Sequence, residues 1–221
     1  MNHDQSSSRA SHPIRRRDEY AQATRQAIID AARQLFSQHG YFSTKVDDIA
    51  TLARVAPATV YAVSGGKHGL LRTLMEIWTT APIVAGTIRS IEVMTNPEAI
   101  LRVVAAACRQ MREEFDDIIR VLLATAPNDR AVAESFASAT ARYRQAFAPI
   151  AQRLADLGAL RDGVDAIQAV DVFWFYFGYS GLSTLHDDNG WSYERAEQWL
   201  CQAASRALLR SPEAPAQTPM N

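Results

Sequence analysis

Hydrophobic positions recur at three- and four-residue intervals along nearly the whole chain, and no stretch alternates with the two-residue period of a half-buried strand. The pattern predicts an all-α protein of about nine helices. The first covers 19–39, with Ala27, Ile28, Ala31, Ala32, Leu35 and Phe36 as its buried stripe and Gly40 as its stop. Val46, Ile49, Ala50 and Ala53 mark the inner face of a second, short helix, and Pro57 sits at the first position of a third. A fourth opens at Lys67 and carries Leu70, Leu71, Leu74, Met75 and Trp78 until Pro82 closes it. A short segment Ile83–Met94 leads to Asn96-Pro97, a cap followed by a proline at the first helical position. A fifth helix over 97–112 and a sixth over 115–126, stopped by Pro127, come next. The seventh runs from an Asp129 cap to about Leu157, kinked at Pro149 and ended by Gly158. Asp165 with Gln168 caps the eighth, and Ser192 caps a ninth that reaches about Leu209.

The segment Thr44–Lys67, TKVDDIATLARVAPATVYAVSGGK, carries the most chemistry. Thr44 is placed to cap the second helix, with Asp47 three residues on as its partner. Arg54-Val55-Ala56 forms a tight turn with Val55 as the plug between the two helices. The third helix then offers Pro57, Ala58, Thr59, Tyr61 and Ala62 outward and turns Val60 and Val63 inward. Small residues let a helix enter the major groove of DNA, and Thr and Tyr hydroxyls reach phosphates or base edges. Lys67 adds its charge to the backbone N–H groups at the next helix N-terminus, a phosphate-binding arrangement. Tyr41 is a further phosphate contact, with Phe42 or Tyr41 itself packed beneath the pair of helices.

From Arg25 to Leu74 the chain resembles the DNA-binding domain of TetR-type transcriptional regulators. The resemblance rests on TRQAIIDAARQLFSQHGY, STKVDDIATLARV, PATVYAV and Lys67 before GLL, roughly a quarter of the chain. Two positions depart from the family pattern. Arg54 stands where the turn usually has Gly, which places a side chain at a backbone position suited to left-handed geometry. Ser64 stands where a Phe usually pins the recognition helix, and with Gly65 and Gly66 behind it the connector is expected to be loose. The expected organisation is a disordered basic arm over 1–18, a helix-turn-helix domain over 19–66, a helical ligand-binding and dimerisation domain over 67–210, and a disordered tail over 211–221. In the arm, Arg15, Arg16 and Arg17, with Arg9 upstream, are read either as phosphate or minor-groove contacts or as a solvated tail.

The eighth helix is apolar nearly all round, so one side is expected to meet its own core and the other a second subunit. Trp174, Phe175, Gly178, Gly181, Leu182 and Leu185, with Trp199, Leu200, Ala203 and Ala207 of the ninth helix, are the expected halves of an intersubunit four-helix bundle. The resemblance implies the same homodimer, and with it two reading heads on a palindromic operator. It also implies a small-molecule pocket in the body. Trp78, Met111, Phe115, Phe136, Tyr143, Phe147, Phe173, Tyr176 and Phe177 are the side chains expected around it, although such stripes equally suit plain core. An apolar wall favours a lipophilic effector. On this reading the effector wedges helices four to seven apart, swings helix four and moves the heads off the groove spacing. Repression is the family's usual outcome.

Charge changes the picture modestly. Residues 1–75 hold ten Lys/Arg against six Asp/Glu, while the remainder is net acidic, against an overall formal charge of −1. A basic head on an acidic body suits a phosphate-binding module joined to a domain with another task. Cys108 and Cys201 lie in helical patterns without metal spacing and read as packing residues of a reducing cytosol. No secretory signal or membrane-length apolar run appears, which points to the bacterial cytosol and nucleoid. His3, His12, His39, His68 and His186 show no metal-ligand spacing, and no nucleophile elbow or phosphate loop is present. No cofactor, metal or catalytic residue is expected. The rival to a regulator is a helical carrier or protein-interaction module whose DNA-binding head has decayed.

Overall fold

Side-chain caps set the starts of four helices. In the computed structural model, which describes residues 12–210, Asn96 Oδ1 accepts from the Ala99 N–H at 3.0 Å and Asp129 Oδ1 from that of Val132 at 3.1 Å. Asp165 and Gln168 form the reciprocal box, at 2.8 and 3.1 Å, and Ser192 Oγ accepts from the Arg195 N–H. Each supplies an acceptor to a helical N–H that the first turn leaves unpaired. The resulting elements are α1 (His12–His39), α2 (Val46–Ala53), α3 (Pro57–Ser64), α4 (Lys67–Thr79), α5 (Pro82–Glu92) and α6 (Pro97–Thr125). They are followed by α7 (Arg130–Gln145), α8 (Ala148–Asp156), α9 (Ala166–Phe177), α10 (Tyr179–Ser183) and α11 (Tyr193–Leu208). Among the described residues the only extended pairing is an isolated antiparallel bridge between Leu160 and Leu209. The chain is all-α.

Several boundaries differ from expectation. The first helix starts at His12, so Arg15, Arg16 and Arg17 belong to its opening turns instead of a free arm. Arg, Glu and Ala favour helix without any apolar stripe, and the absence of that stripe hides the extension in the sequence. The rest of the arm, Arg9 included, and the tail over 211–221 lie outside the described residues. Helices five and six are one, α6: Cys108, Met111, Phe115, Ile118 and Leu122 keep a three- or four-residue spacing across 113–114. The seventh divides at Ala146-Phe147 into α7 and α8, with Pro149 in the first turn of the second piece instead of kinking a continuous helix. The eighth divides at Gly178, beyond which Thr184–Asp188 widens into a π-type turn.

The helices pack as two units. One comprises the residues up to Trp78 together with Asp117–Phe136, so α4 packs with the head through Trp78. Its core contains Ile28, Ala32 and Phe36 of α1, Ile49 of α2, Val60 of α3, and Leu70, Leu71, Leu74 and Trp78 of α4. Within it the Arg33 guanidinium makes a two-pronged pair with Asp117, at 2.6 and 2.7 Å. The other unit comprises Thr79–Asp116 and the chain from Ala137 onward. Its core gathers Ile100, Leu101 and Val104 of α6, Ile150 and Leu154 of α8, Phe173 and Phe177 of α9, and Leu200, Ala204 and Leu208 of α11. Arg112 is buried there between Asp116 and Asp187, the ion pairing that lets a guanidinium leave water. No helix among the described residues is long and apolar enough to cross a membrane.

Candidate functional site

In the first unit α1 packs on α2 and α2 on α3, which presents the α2–turn–α3 pair at the surface. Lys45, not Thr44, is the N-cap of α2, and the Asp48 carboxylate accepts from its N–H at 3.1 Å. Thr44 is buried, 3% exposed, and its hydroxyl donates to the Gly40 and Leu35 carbonyls at 2.8 and 3.2 Å. It therefore closes the C-terminus of α1 instead of facing a phosphate. The turn runs through Arg54 at φ 57 and ψ 44, the one non-glycine described residue with positive φ. Val55 sits half-buried behind it, its N–H bonded to Ala50 O.

Helix α3 is anchored by Val60, which is fully buried, with Val63 half-buried beside it. Pro57, Ala58, Tyr61 and Ala62 are exposed and Thr59 half-exposed, so the face expected to read DNA is the solvent face. Tyr61 is 57% exposed although its ring lies against Gly66. Arg16 and Arg17 are exposed on α1.

The connector from α3 to α4 is held at several points. Ser64 Oγ donates to Val60 O at 2.7 Å and accepts from the Gly66 N–H at 3.3 Å. Gly69 lets the start of α4 pass so close that an added Cβ would stand 1.6 Å from Ser64 O. The looseness expected at Ser64 is thus opposed by local hydrogen bonds and a backbone approach only glycine allows. Lys67 Nζ donates to Tyr41 O at 2.7 Å, Thr44 O at 3.1 Å and Phe42 O at 3.3 Å, and lies 4.4 Å from the centre of the Tyr41 ring. Tyr41 is the buried member of the Tyr41–Phe42 pair and packs on Phe36, while Phe42 is exposed. Burial, and then the Asp129 carboxylate, raise the Tyr41 pKa.

In the second unit, a cavity of about 40 Å³ lies among Ile83, Val84, Thr87 and Ile88 of α5, Val104, Cys108 and Met111 of α6, and Tyr143, Phe147 and Ile150. Of its polar side chains, Thr87, Cys108 and Tyr143, the last two are already engaged. Tyr143 Oη donates to Phe177 O at 2.7 Å, and the Tyr143 and Cys108 side chains bond each other. Burial pushes the Cys108 thiol up to about 12 and raises Tyr143 well above its ordinary range, so both stay neutral at physiological pH. Of the nine side chains expected around a pocket, Met111, Tyr143 and Phe147 line this cavity. Trp78 and Phe136 lie in the first unit with ring centres 6.4 Å apart. Phe115, Phe173 and Phe177 are buried packing residues, and Tyr176 lines a different depression. The α5 contribution escapes the sequence reading, in which Ile83–Met94 is a connector, although Ile83, Val84, Thr87 and Ile88 share one helical face.

That second depression is a groove of about 600 Å³ bounded by Trp174, Phe175, Tyr176, Tyr179, Gly181, Leu185, Trp199 and Leu200. Beside it α9 leaves Ile167 78% and Phe175 69% exposed, and α11 leaves Trp199 48% exposed. Of the expected dimer-face residues, Leu182, Leu185 and Leu200 are instead buried in their own core, and Gly178 and Gly181 serve close approaches within the chain, to Trp174 O and Tyr176 O. Ala203 and Ala207 are half-buried. Arg144 and Asp171 pair on this side, and Thr140 Oγ1 bonds Tyr179 Oη at 3.0 Å. Among the described residues no group of His, Cys, Asp and Glu could hold a metal ion.

Comparison with known proteins agrees with these features. Residues 28–74 match the family model for bacterial regulatory proteins, tetR family. The fold is similar to that of SmeT in complex with triclosan, at a TM-score of 0.70 and 21% identity over 90% of this chain and 98% of that one. SmeT is the repressor of the Stenotrophomonas maltophilia multidrug efflux pump SmeDEF. It is also similar to the fatty acid degradation regulator FadR from Bacillus halodurans, at 0.70 and 17% over 82% and 94%. A transcriptional regulator from Saccharomonospora viridis in complex with choline matches at 0.69 and 16% over 85% and 98%. No curated protein matches the chain.

Proposed function

We propose that this chain, a tetR-family DNA-binding regulator, is a homodimeric repressor that holds a palindromic operator and releases it when a lipophilic small molecule enters the α5–α8 cavity. The observation that carries the proposal is α3: one buried anchor, Val60, fixes a short helix that leaves Pro57, Ala58, Tyr61 and Ala62 exposed and Thr59 half-exposed. Such a helix needs nothing further to enter a major groove, and the basic head supplies phosphate attraction. The packed state of the α3–α4 connector runs against a decayed head.

Homodimerisation is supported by the apolar groove along α9 and α11. Exposed Phe175 and Trp199, lining one groove with Trp174 and Leu185, form the kind of apolar patch that a monomer rarely leaves in water. An apolar effector is supported by the cavity wall, in which the Tyr143 hydroxyl and Cys108 thiol are already satisfied by Phe177 O and by each other and Thr87 is the other polar side chain. At about 40 Å³ the cavity is far smaller than the several hundred Å³ of a ligand-filled pocket. An effector would therefore select a conformation in which α5 stands away from α6 and α8, and that selection is the switch. SmeT's complex with triclosan is a precedent for a small molecule in this fold.

The test replaces hydroxyls on α3. Thr59→Ala with Tyr61→Phe is expected to weaken operator binding at least about tenfold, from the loss of one or two hydrogen bonds to DNA, with the dimer unchanged by sedimentation. Unaltered affinity would remove these side chains from the DNA interface.

A further inference from the structure

Lys67 opens α4, immediately after the recognition helix, and resembles a phosphate contact in sequence. Its ammonium nevertheless points into the protein. An ammonium has three N–H bonds, and here three carbonyl oxygens receive them: Tyr41 O, Phe42 O and Thr44 O, at 2.7, 3.3 and 3.1 Å. The Tyr41 ring, 4.4 Å away, supplies a negative face on another side. Burial lowers the Lys67 pKa, the direction expected of a charge drawn partly out of water.

The three acceptors share one location, the loop between α1 and α2. Thr44 ties the other side of that loop to α1 through Gly40 O and Leu35 O. Lys67 therefore joins the entrance of α2 to the exit of α3, closing a ring of chain 23 to 26 residues long around the whole reading unit. No backbone hydrogen bond does this across the same gap: those of the connector reach only from Gly65 to Tyr61 and from Leu70 to Gly66.

We propose that Lys67 is a positioning residue for DNA recognition, an ammonium staple across the two ends of α2–α3, and makes no phosphate contact of its own. This rests on the reading of the head as a DNA-binding module. The staple fixes where α3 emerges relative to α1, so its loss costs affinity by loosening the helix that reads DNA.

Counterion release separates a staple from a phosphate contact. Removing one phosphate contact lowers the slope of log K against log salt by about 0.9, whereas removing a positioning bond weakens binding with the slope unchanged. In the full-length protein, Lys67→Met is expected to bind DNA about tenfold more weakly with an unaltered slope. Lys67→Arg should fail similarly, because a planar guanidinium fork cannot send three N–H groups into one carbonyl cage. A phosphate contact would accept Arg. Hydrogen exchange on the DNA-free proteins should show faster exchange of α2–α3 amides in both variants while the remaining helices are unchanged. In the wild type, the Lys67 ammonium protons should be visible and slowly exchanging by NMR, with and without DNA.

A slope lower by about one in Lys67→Met, with Arg restoring affinity, would overturn the proposal. So would fast ammonium exchange in the free wild type, a result that does not depend on either variant folding. Wild-type protein that binds no DNA would instead defeat the regulator reading, while the exchange data would still decide whether the staple exists.

Discussion

Arg54 holds φ 57 and ψ 44 in the turn between α2 and α3, and its side chain is exposed. A left-handed backbone brings Cβ against the following carbonyl and costs about 1–2 kcal/mol for an ordinary L-residue. Part of that is recovered on substitution by glycine, which loses more chain entropy on folding. Arg54→Gly is therefore expected to stabilise the head by about 0.5–1 kcal/mol, read as a higher denaturation midpoint. A drop in stability would mean that the arginine side chain makes a contact that outweighs the strain. Cys108 and Tyr143 make a second prediction at this scale. Their ordinary values are 9.0 and 10.0, and folding raises both. An acid whose pKa is raised on folding contributes its full stabilisation below the unfolded value and loses it as pH rises towards the folded one. Stability should accordingly be flat below pH 9 and fall between about 9 and 12, followed by urea midpoints across that range. Cys108→Ser with Tyr143→Phe should reduce the fall, the remainder belonging to Tyr41, Tyr179, Tyr193 and Cys201, whose pKa values folding also raises.

At the scale of elements, α9 divides its apolar residues between two destinations. Phe173 and Phe177 are in the core, whereas Phe175 faces the groove that Trp199 of α11 also lines, and Ile167 is exposed. Phe175→Glu should leave the helical content unchanged and convert a dimer to monomer in sedimentation, since a carboxylate there would be buried without a partner. A dimer that persists would put the subunit contact elsewhere. The caps at Asn96, Asp129, Asp165 and Ser192 are legible in the sequence because a cap involves only residues three apart. The α2–turn–α3 unit is legible for the same reason, down to the left-handed backbone under Arg54. The union of two expected helices into α6 escapes notice although its spacing is continuous from Cys108 to Leu122, because the charged run Arg112-Glu113-Glu114 looks like a break. The cavity is only partly legible, since Met111 and Tyr143 meet α5 through the tertiary arrangement and nothing in their own periodicity tells cavity wall from core. The Lys67 staple has no sequence signature, because its partners are backbone carbonyls that any residues at 41, 42 and 44 would supply.

Over the whole molecule, a formal charge of −1 conceals a basic stretch over residues 1–75, so on the proposed function attraction to DNA comes from that stretch and binding should be strongly salt-dependent. A single short recognition helix reads too few base edges for a specific affinity, so the proposed function requires the α9–α11 face and the α3 face to act together. On the proposed function their joint product would be a two-fold symmetric site on DNA, and the cavity would give an apolar molecule a means to dismiss it. The most direct measurement is selection of genomic DNA fragments by the purified protein at low and moderate salt, with the bound fragments sequenced. A homodimeric reader should enrich a palindromic motif, with enrichment that weakens as salt rises and is lost in Thr59→Ala with Tyr61→Phe. No enrichment at low salt would contradict it and leave the α5–α8 cavity as the centre of a different function.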